Sequence, residues 1–159
     1  MPQLFLDCDG VLADFDAYAT ELLGMPPRQF EARHGPKRFW GRIAAHDDFF
    51  FKLPLMRDAR ELWDALAHLH PIILTGLPRG DWAGPQKMRW AAEHFPQARM
   101  ITTMARAKRD HMENPGDVLV DDLLKYKALW EEAGGVFVHH RNAKATLREL
   151  KARGIDVRD

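Results

Sequence analysis

Short apolar runs alternate with amphipathic helical patterns along most of this chain. An uninterrupted apolar run of this length is typical of a strand that is buried on both faces, as in a parallel sheet. The five predicted strands lie within residues 4–11, 72–76, 98–102, 118–122 and 135–138. Helical periodicity with suitable end signals predicts four helices over residues 58–69, 85–95, 122–133 and 142–153. Strands that alternate with helices in this way indicate βαβ units and a mostly parallel sheet.

The segment 15–54 does not fit this alternation. It is rich in aromatic residues, is interrupted by Pro26-Pro27 and Gly35-Pro36, and separates the first predicted strand from the second. A crossover between parallel strands needs only about a dozen residues. We therefore predict a small helical cap at about 15–54, inserted in a single domain whose core is about 1–14 and 55–159. Such a cap can exclude water and touch a substrate.

Composition narrows the range of partners. The 159 residues include 23 basic and 23 acidic side chains, so no net field favours a nucleic-acid polymer or an anionic membrane. No run approaches the roughly 18 apolar residues of a membrane span, and the N-terminus reaches Asp7 too soon for a secretory apolar region. The single cysteine excludes an internal disulfide. We expect a cytoplasmic monomer or homodimer that acts on a small molecule.

Acids and a hydroxyl follow three of the predicted strands. Asp7 and Asp9 end the first strand, Thr75 lies near the end of the second, and Asp121 and Asp122 end the fourth. In open parallel sheets the ligand binds beyond the carboxyl ends of the strands. Four carboxylates gathered there would repel one another unless a hard cation lay among them. The pattern predicts a magnesium-dependent enzyme.

Asp7 and Asp9 are suited to different tasks. One residue separates them at a strand end, so their side chains diverge, and Gly10 lets the backbone turn closely. One carboxylate can then face a phosphorus atom while the other stands near the leaving group, as a nucleophile and a general acid/base require. Mg²⁺ takes oxygen ligands. The predicted ligands are Asp7, the carbonyl of Asp9, and Asp121 or Asp122.

The segment 7–11, Asp-Cys-Asp-Gly-Val, resembles motif I of the haloacid dehalogenase (HAD) superfamily of aspartyl-phosphate phosphohydrolases. Leu-Thr-Gly at 74–76 resembles motif II, and the acidic segment 116–122 resembles motif IV. The motif III lysine is best matched by Lys108, with Arg109 as the alternative. The motifs occur in the order of the family over almost the whole chain.

This resemblance implies a three-layer HAD-like Rossmannoid fold with a five-stranded sheet and a cap after the first strand. It also implies a two-step phosphatase reaction. Asp7 attacks a phosphomonoester and becomes an aspartyl-phosphate, while Asp9 protonates the departing alkoxide and then activates water. Thr75, Lys108 and the backbone near Gly76, together with Mg²⁺, are expected to hold the phosphoryl oxygens.

Within the superfamily the chain most resembles the 5'(3')-deoxyribonucleotidases. The likeness lies in Asp-Gly-Val-Leu-Ala-Asp-Phe at 9–15, Phe-Phe-Phe-Lys-Leu-Pro-Leu at 49–55 and Lys-Met-Arg-Trp at 87–90. It implies a deoxyribonucleoside 5'-monophosphate as substrate, whose base or sugar would contact Phe15 and the cap aromatics Phe50 and Trp40.

Other interpretations stay open at this point. The substrate can be another small metabolite, such as a sugar phosphate, or a broad range of phosphomonoesters. Phosphomutase or phosphonatase chemistry is a further alternative, and the latter needs a reactive cap lysine, for which Lys37 and Lys52 are the candidates. A non-catalytic binding domain is the remaining alternative. We interpret Cys8 as a buried apolar residue, and Asp14 and Asp16 as acids of a helix first turn.

Overall fold

The computed structural model describes residues 1–159 and contains one five-stranded sheet, which confirms the predicted α/β fold. The strands are β1 (Leu4–Leu6), β2 (Ile72–Gly76), β3 (Met100–Thr103), β4 (Val118–Asp121) and β5 (Val136–His139). Their order across the sheet is β3-β2-β1-β4-β5, and every neighbouring pair is parallel. The central position of β1 puts the residues that follow it in the middle of the carboxyl edge.

Seven α-helices accompany the sheet. They are α1 (Phe15–Leu23), α2 (Pro27–His34), α3 (Pro36–Ala45), α4 (Ala59–Leu66), α5 (Ala83–His94), α6 (Lys127–Glu132) and α7 (Ala143–Ala152). Two 3₁₀ helices cover Ala67–Leu69 and Ala105–His111. None of these helices is both long enough and apolar enough to cross a lipid bilayer.

One helical prediction needs correction, and one helical segment was not predicted. The helix predicted over 122–133 begins only at Lys127, because the chain first turns at the sheet edge, where the Leu123 amide donates to Asp121 Oδ1 at 3.0 Å. The 3₁₀ helix Ala105–His111 was not predicted at all. Both differences fall on segments that border the carboxyl edge of the sheet.

The sheet is buried on both faces, as its continuous apolar strands predict. Along β1, Leu4 and Leu6 point into a large hydrophobic cluster and Phe5 points into a smaller one on the other face. The large cluster includes side chains of α4, α5 and α7, whereas Trp130 of α6 belongs to the smaller one. The result is the three-layer arrangement of helices, sheet and helices.

The cap predicted at 15–54 contains α1, α2 and α3. Its aromatic side chains pack on one another: the Phe15 ring centroid lies 5.5 Å from that of Phe49 and 6.0 Å from that of Phe50, and the Phe39 and Trp40 centroids are 4.9 Å apart. Several of these residues belong to the large hydrophobic cluster of the core. The aromatics therefore attach the cap to the sheet as well as filling it.

Candidate active site

The carboxyl edge of the sheet brings the acids of two strands together. β1 and β4 pair with Leu6 opposite Val120, and the amide of Asp7 donates to the Val120 carbonyl at 2.9 Å. Asp7 and Asp121 are consequently next to each other, and both are buried. Thr75 of β2 is buried on the other side of β1.

Lys108 lies between the two acids. Its ammonium donates hydrogen bonds to Asp7 Oδ1 and to Asp121 Oδ2, each at 2.9 Å, and its side chain is buried. Burial alone would lower the pKa of Lys108, but the charges of Asp7 and Asp121 raise it above its ordinary value. Arg109 instead is exposed and reaches toward Glu132, 3.6 Å away. Of the two candidates for motif III, the fold brings Lys108 to the acids.

Three carboxylates form a set that fits a metal ion. One oxygen each of Asp7, Asp121 and Asp122 lies within 4.8 Å of the others. Burial, followed by the charge of Asp7, raises the pKa of Asp122 to about 9, and burial with the charge of Asp121 raises the pKa of Asp7 to about 6. Asp122 Oδ1 is buried and has no hydrogen-bond partner. An all-oxygen, electron-rich set with a free oxygen matches the preference of Mg²⁺.

The carboxylate of Asp9 is not part of this set, although the sequence placed Asp9 among the metal ligands. Its Oδ2 accepts a hydrogen bond from Lys87 instead. A role as ligand through its backbone carbonyl stays a prediction. Burial raises the pKa of Asp9, and the charge of Lys87 opposes that effect.

Gly10 lets Asp122 approach the turn that follows β1. Its φ is +83°, in the left-handed region, and a Cβ at this position would overlap the Asp122 carboxylate. A residue with a side chain would therefore both strain the turn and displace an acid of the set.

Lys87 is the main site residue to which the sequence analysis gave no role, although the segment 87–90 was part of the nucleotidase resemblance. It is 2% exposed, and its ammonium donates to Asp9 Oδ2 at 2.9 Å, Thr75 Oγ1 at 2.8 Å and the Gly76 carbonyl at 3.0 Å. The sequence did contain a signal. The buried residues of α5 follow the spacing i, i+4, i+7, i+8, and a lysine occupies the second of these positions. They are Ala83, Lys87, Trp90 and Ala91.

A cavity of about 350 Å³ opens beside these groups. Phe15, Trp40 and Phe50, the three predicted substrate contacts, line it together with the site acids, Gly76, Lys87 and Lys108. Further lining residues that were not predicted as contacts include Asp16, Arg28, Glu31, Leu77, Leu123 and Tyr126. Asp16 does lie in the first turn of α1, as interpreted, yet it also faces the cavity.

Other candidate residues lie elsewhere. Lys37 and Lys52 are exposed and do not line the cavity. Cys8 is buried, and burial raises the pKa of its thiol well above the ordinary value, which disfavours a reactive thiolate. The side chain of Asp14 caps α1 by accepting from the Ala17 amide.

The fold is shared with solved hydrolase structures. The L-2-haloacid dehalogenase of Xanthobacter autotrophicus, solved with chloropropionic acid covalently bound, has a TM-score of 0.60 at 15% identity over 98% of this chain and 84% of its own. A HAD family hydrolase from Deinococcus radiodurans R1, with bound phosphate and sodium, has a TM-score of 0.56 at 15% identity over 93% and 87%. A hydrolase from Pseudomonas syringae gives 0.54 at 13% identity over 96% and 99%.

The chain thus has the fold of the HAD-superfamily hydrolases. No protein-family model matches the sequence, and neither does any curated protein. The particular reaction has to be argued from the site residues themselves, because a fold supports many chemistries.

Proposed function

We propose that this protein is a Mg²⁺-dependent phosphomonoester hydrolase that works through an aspartyl-phosphate on Asp7. One observation carries the proposal: a buried carboxylate, bound to a buried lysine and adjacent to two further acids, faces a cavity with an aromatic wall. HAD-type solved structures include both a dehalogenase and a phosphate-bound hydrolase. The acid set and Asp9 favour phosphoryl transfer over halide displacement, since a halide leaves without a proton.

Asp7 is the nucleophile in this proposal. Lys108 holds Asp7 Oδ1, which fixes the carboxylate and favours its ionised form despite burial. Attack in line on phosphorus forms the bond from an Asp7 oxygen to phosphorus as the ester bond breaks. Positioning of this kind, together with electrostatic stabilisation, supplies most of the catalysis of phosphoryl transfer.

Asp9 is the general acid and then the general base. A proton on its carboxyl group passes to the leaving alkoxide, and the carboxylate later removes a proton from the water that hydrolyses the aspartyl-phosphate. Thr75, Lys108 and the backbone at Gly76 are the proposed donors to the phosphoryl oxygens. One well-aimed donor of this kind is worth about 3–4 kcal/mol of transition-state stabilisation.

The proposed Mg²⁺ ligands are Asp7, Asp121 or Asp122, and the carbonyl of Asp9. When bound, the ion would neutralise the clustered carboxylates and the charge on the phosphoryl group. The buried, unpartnered oxygen of Asp122 and its raised pKa support this assignment, because both describe a carboxylate that lacks a counter-charge.

A deoxyribonucleoside 5'-monophosphate is the proposed substrate. The residues that line the cavity include Phe15, Trp40 and Phe50, and aromatic faces bind planar rings by stacking. Another small phosphomonoester, such as a sugar phosphate, is the alternative that the substrate panel below would reveal.

The proposal is tested by measuring phosphate release from a panel of phosphomonoesters with Mg²⁺ and with EDTA. We expect Mg²⁺-dependent release that is fastest for deoxynucleotides. The Asp7→Asn variant should lose turnover of p-nitrophenyl phosphate by at least about 10³-fold while keeping its thermal transition. The control is Asp110→Asn, which changes an exposed acid outside the cavity. Wild-type turnover by Asp7→Asn, or no metal-dependent release from any ester, would refute the proposal.

A further inference from the structure

The ammonium of Lys87 has a complete set of acceptors. A lysine ammonium carries three N–H donors and no acceptor, and those of Lys87 go to Asp9 Oδ2, Thr75 Oγ1 and the Gly76 carbonyl within 3.0 Å. A substrate oxygen could bind Lys87 only by displacing one of these acceptors. Lys87 therefore acts on the site through its neighbours.

The first of these neighbours is the Thr75 hydroxyl. Because Lys87 can only donate, Thr75 Oγ1 is the acceptor of their 2.8 Å bond. The hydroxyl proton of Thr75 is then free to point away from Lys87. Lys87 in this way makes Thr75 a donor toward an anionic group.

The second neighbour is the Asp9 carboxylate. Lys87 holds Oδ2 at 2.9 Å, while Oδ1 is buried and has no partner. The two oxygens of Asp9 are thus unequal: one is anchored and the other is free to carry a proton.

Phe50 packs against the Lys87 ammonium. Its ring centroid lies 4.6 Å from Lys87 Nζ, and its amide donates to Gln86 Oε1 at 2.9 Å. Burying an ammonium on the apolar stripe of a helix is unfavourable unless strong acceptors compensate. The contacts with Asp9 and Thr75 provide that compensation, and both residues belong to the proposed catalytic set.

We infer that Lys87 is a positioning residue, which orients Asp9 Oδ1 toward the leaving oxygen and the Thr75 hydroxyl toward the phosphoryl group. This inference rests on the proposed function. In the first step, the proton on Asp9 Oδ1 moves to the leaving oxygen as the P–O ester bond breaks and the bond from Asp7 to phosphorus forms.

The test compares two esters of similar shape but different leaving-group basicity. p-Nitrophenolate departs without a proton, whereas phenolate from phenyl phosphate depends more on the general acid. We expect Lys87→Met to reduce kcat for p-nitrophenyl phosphate by about 10-fold and for phenyl phosphate by about 100-fold or more, with little change in KM. In an Asp9→Asn background, Lys87→Met should reduce kcat for the two esters by the same factor.

Lys144→Met is the matched control, since Lys144 is exposed on α7 and does not line the cavity. If Lys87→Met reduces kcat by the same factor for both esters, the inference is refuted while the proposed function is not. Absence of turnover of either ester by the wild-type protein would refute the proposed function and this inference together.

If Lys87→Met does not fold, the double variant Asp9→Asn/Lys87→Met, which removes both members of the ion pair, replaces it. Compared with Asp9→Asn alone, the double variant should leave the ratio of the kcat values for the two esters unchanged. A changed ratio would contradict a role exerted through Asp9.

Discussion

Lys108 donates a hydrogen bond to Asp7 at 2.9 Å although the two residues are 101 positions apart in the chain. The bond joins the end of the central strand to the 3₁₀ helix that follows β3. The same ammonium also donates to Asp121, so it links the proposed nucleophile to the end of β4. Much of the behaviour expected of this protein follows from that contact.

Loss of the Lys108 ammonium should affect both stability and turnover. Lys108→Met leaves Asp7 and Asp121 buried without their counter-charge, and breaking a buried pair in this way typically costs about 3–5 kcal/mol. We expect a lower urea midpoint and a fall in kcat of about 10²–10³-fold. Arg109→Met is the control and should change neither quantity, because Arg109 is exposed and contacts only Glu132 weakly. Equal effects of the two variants would contradict the assignment of Lys108.

Without metal, the protein should become less stable as the pH rises. The pKa of Asp122 is raised to about 9 and that of Asp7 to about 6 from 3.8, so over this range the folded state binds more protons than the unfolded state. The free energy of unfolding then falls with increasing pH. The lowered pKa of His140, which burial causes, acts only below about 6.5 and with the opposite sign.

Urea titrations in EDTA between about pH 6.5 and 9 measure this slope. Asp122→Asn should flatten it, and Mg²⁺ should restore stability at the upper end because a bound ion replaces the protons. A midpoint that increases with pH in EDTA would contradict the proposed charge cluster.

Substitutions at Gly24 and Gly10 distinguish the cost of backbone strain from the cost of a steric overlap at Gly10. Gly24 has a similar positive φ of 76° but no neighbour within 4 Å of a Cβ, whereas a Cβ on Gly10 would overlap Asp122. Gly24→Ala should cost about 1–2 kcal/mol from the left-handed conformation alone. Gly10→Ala should cost more and also abolish turnover. Thermal melts with activity assays check both, and full activity in Gly10→Ala would contradict the placement of Asp122.

Trp40 should influence which substrate is preferred. Because its ring lines the cavity, we expect Trp40→Ala to raise KM for a deoxynucleoside 5'-monophosphate by about 10-fold, corresponding to about 1.4 kcal/mol of stacking. KM for glycerol phosphate, which has no ring, should not change. Trp63→Ala is the control, since Trp63 packs on Phe95 outside the cavity. A parallel change for both substrates would contradict a contact with the ring.

The prediction of the fold succeeded where a local pattern depends on burial. Strands with no polar alternation had to be covered on both faces, and β1 shows this with Leu4 and Phe5 on opposite sides. The prediction of the helix at 122–133 failed in its first half because the Asp121 carboxylate accepts the Leu123 amide and holds the chain in a turn. Helical periodicity carries no information about a side-chain hydrogen bond that competes with the backbone hydrogen bonds of a helix.

The sequence by itself determined the parallel sheet and the acids Asp7, Asp9, Asp121 and Asp122 at its strand ends, because apolar runs and abrupt polar stops are local features. The tertiary structure decided which cations meet those acids. Lys108 rather than Arg109 reaches Asp7, and Lys87 crosses to Asp9. Such pairings depend on how a helix rotates and packs against the sheet. This is settled by burial of its whole apolar face and not by any single residue.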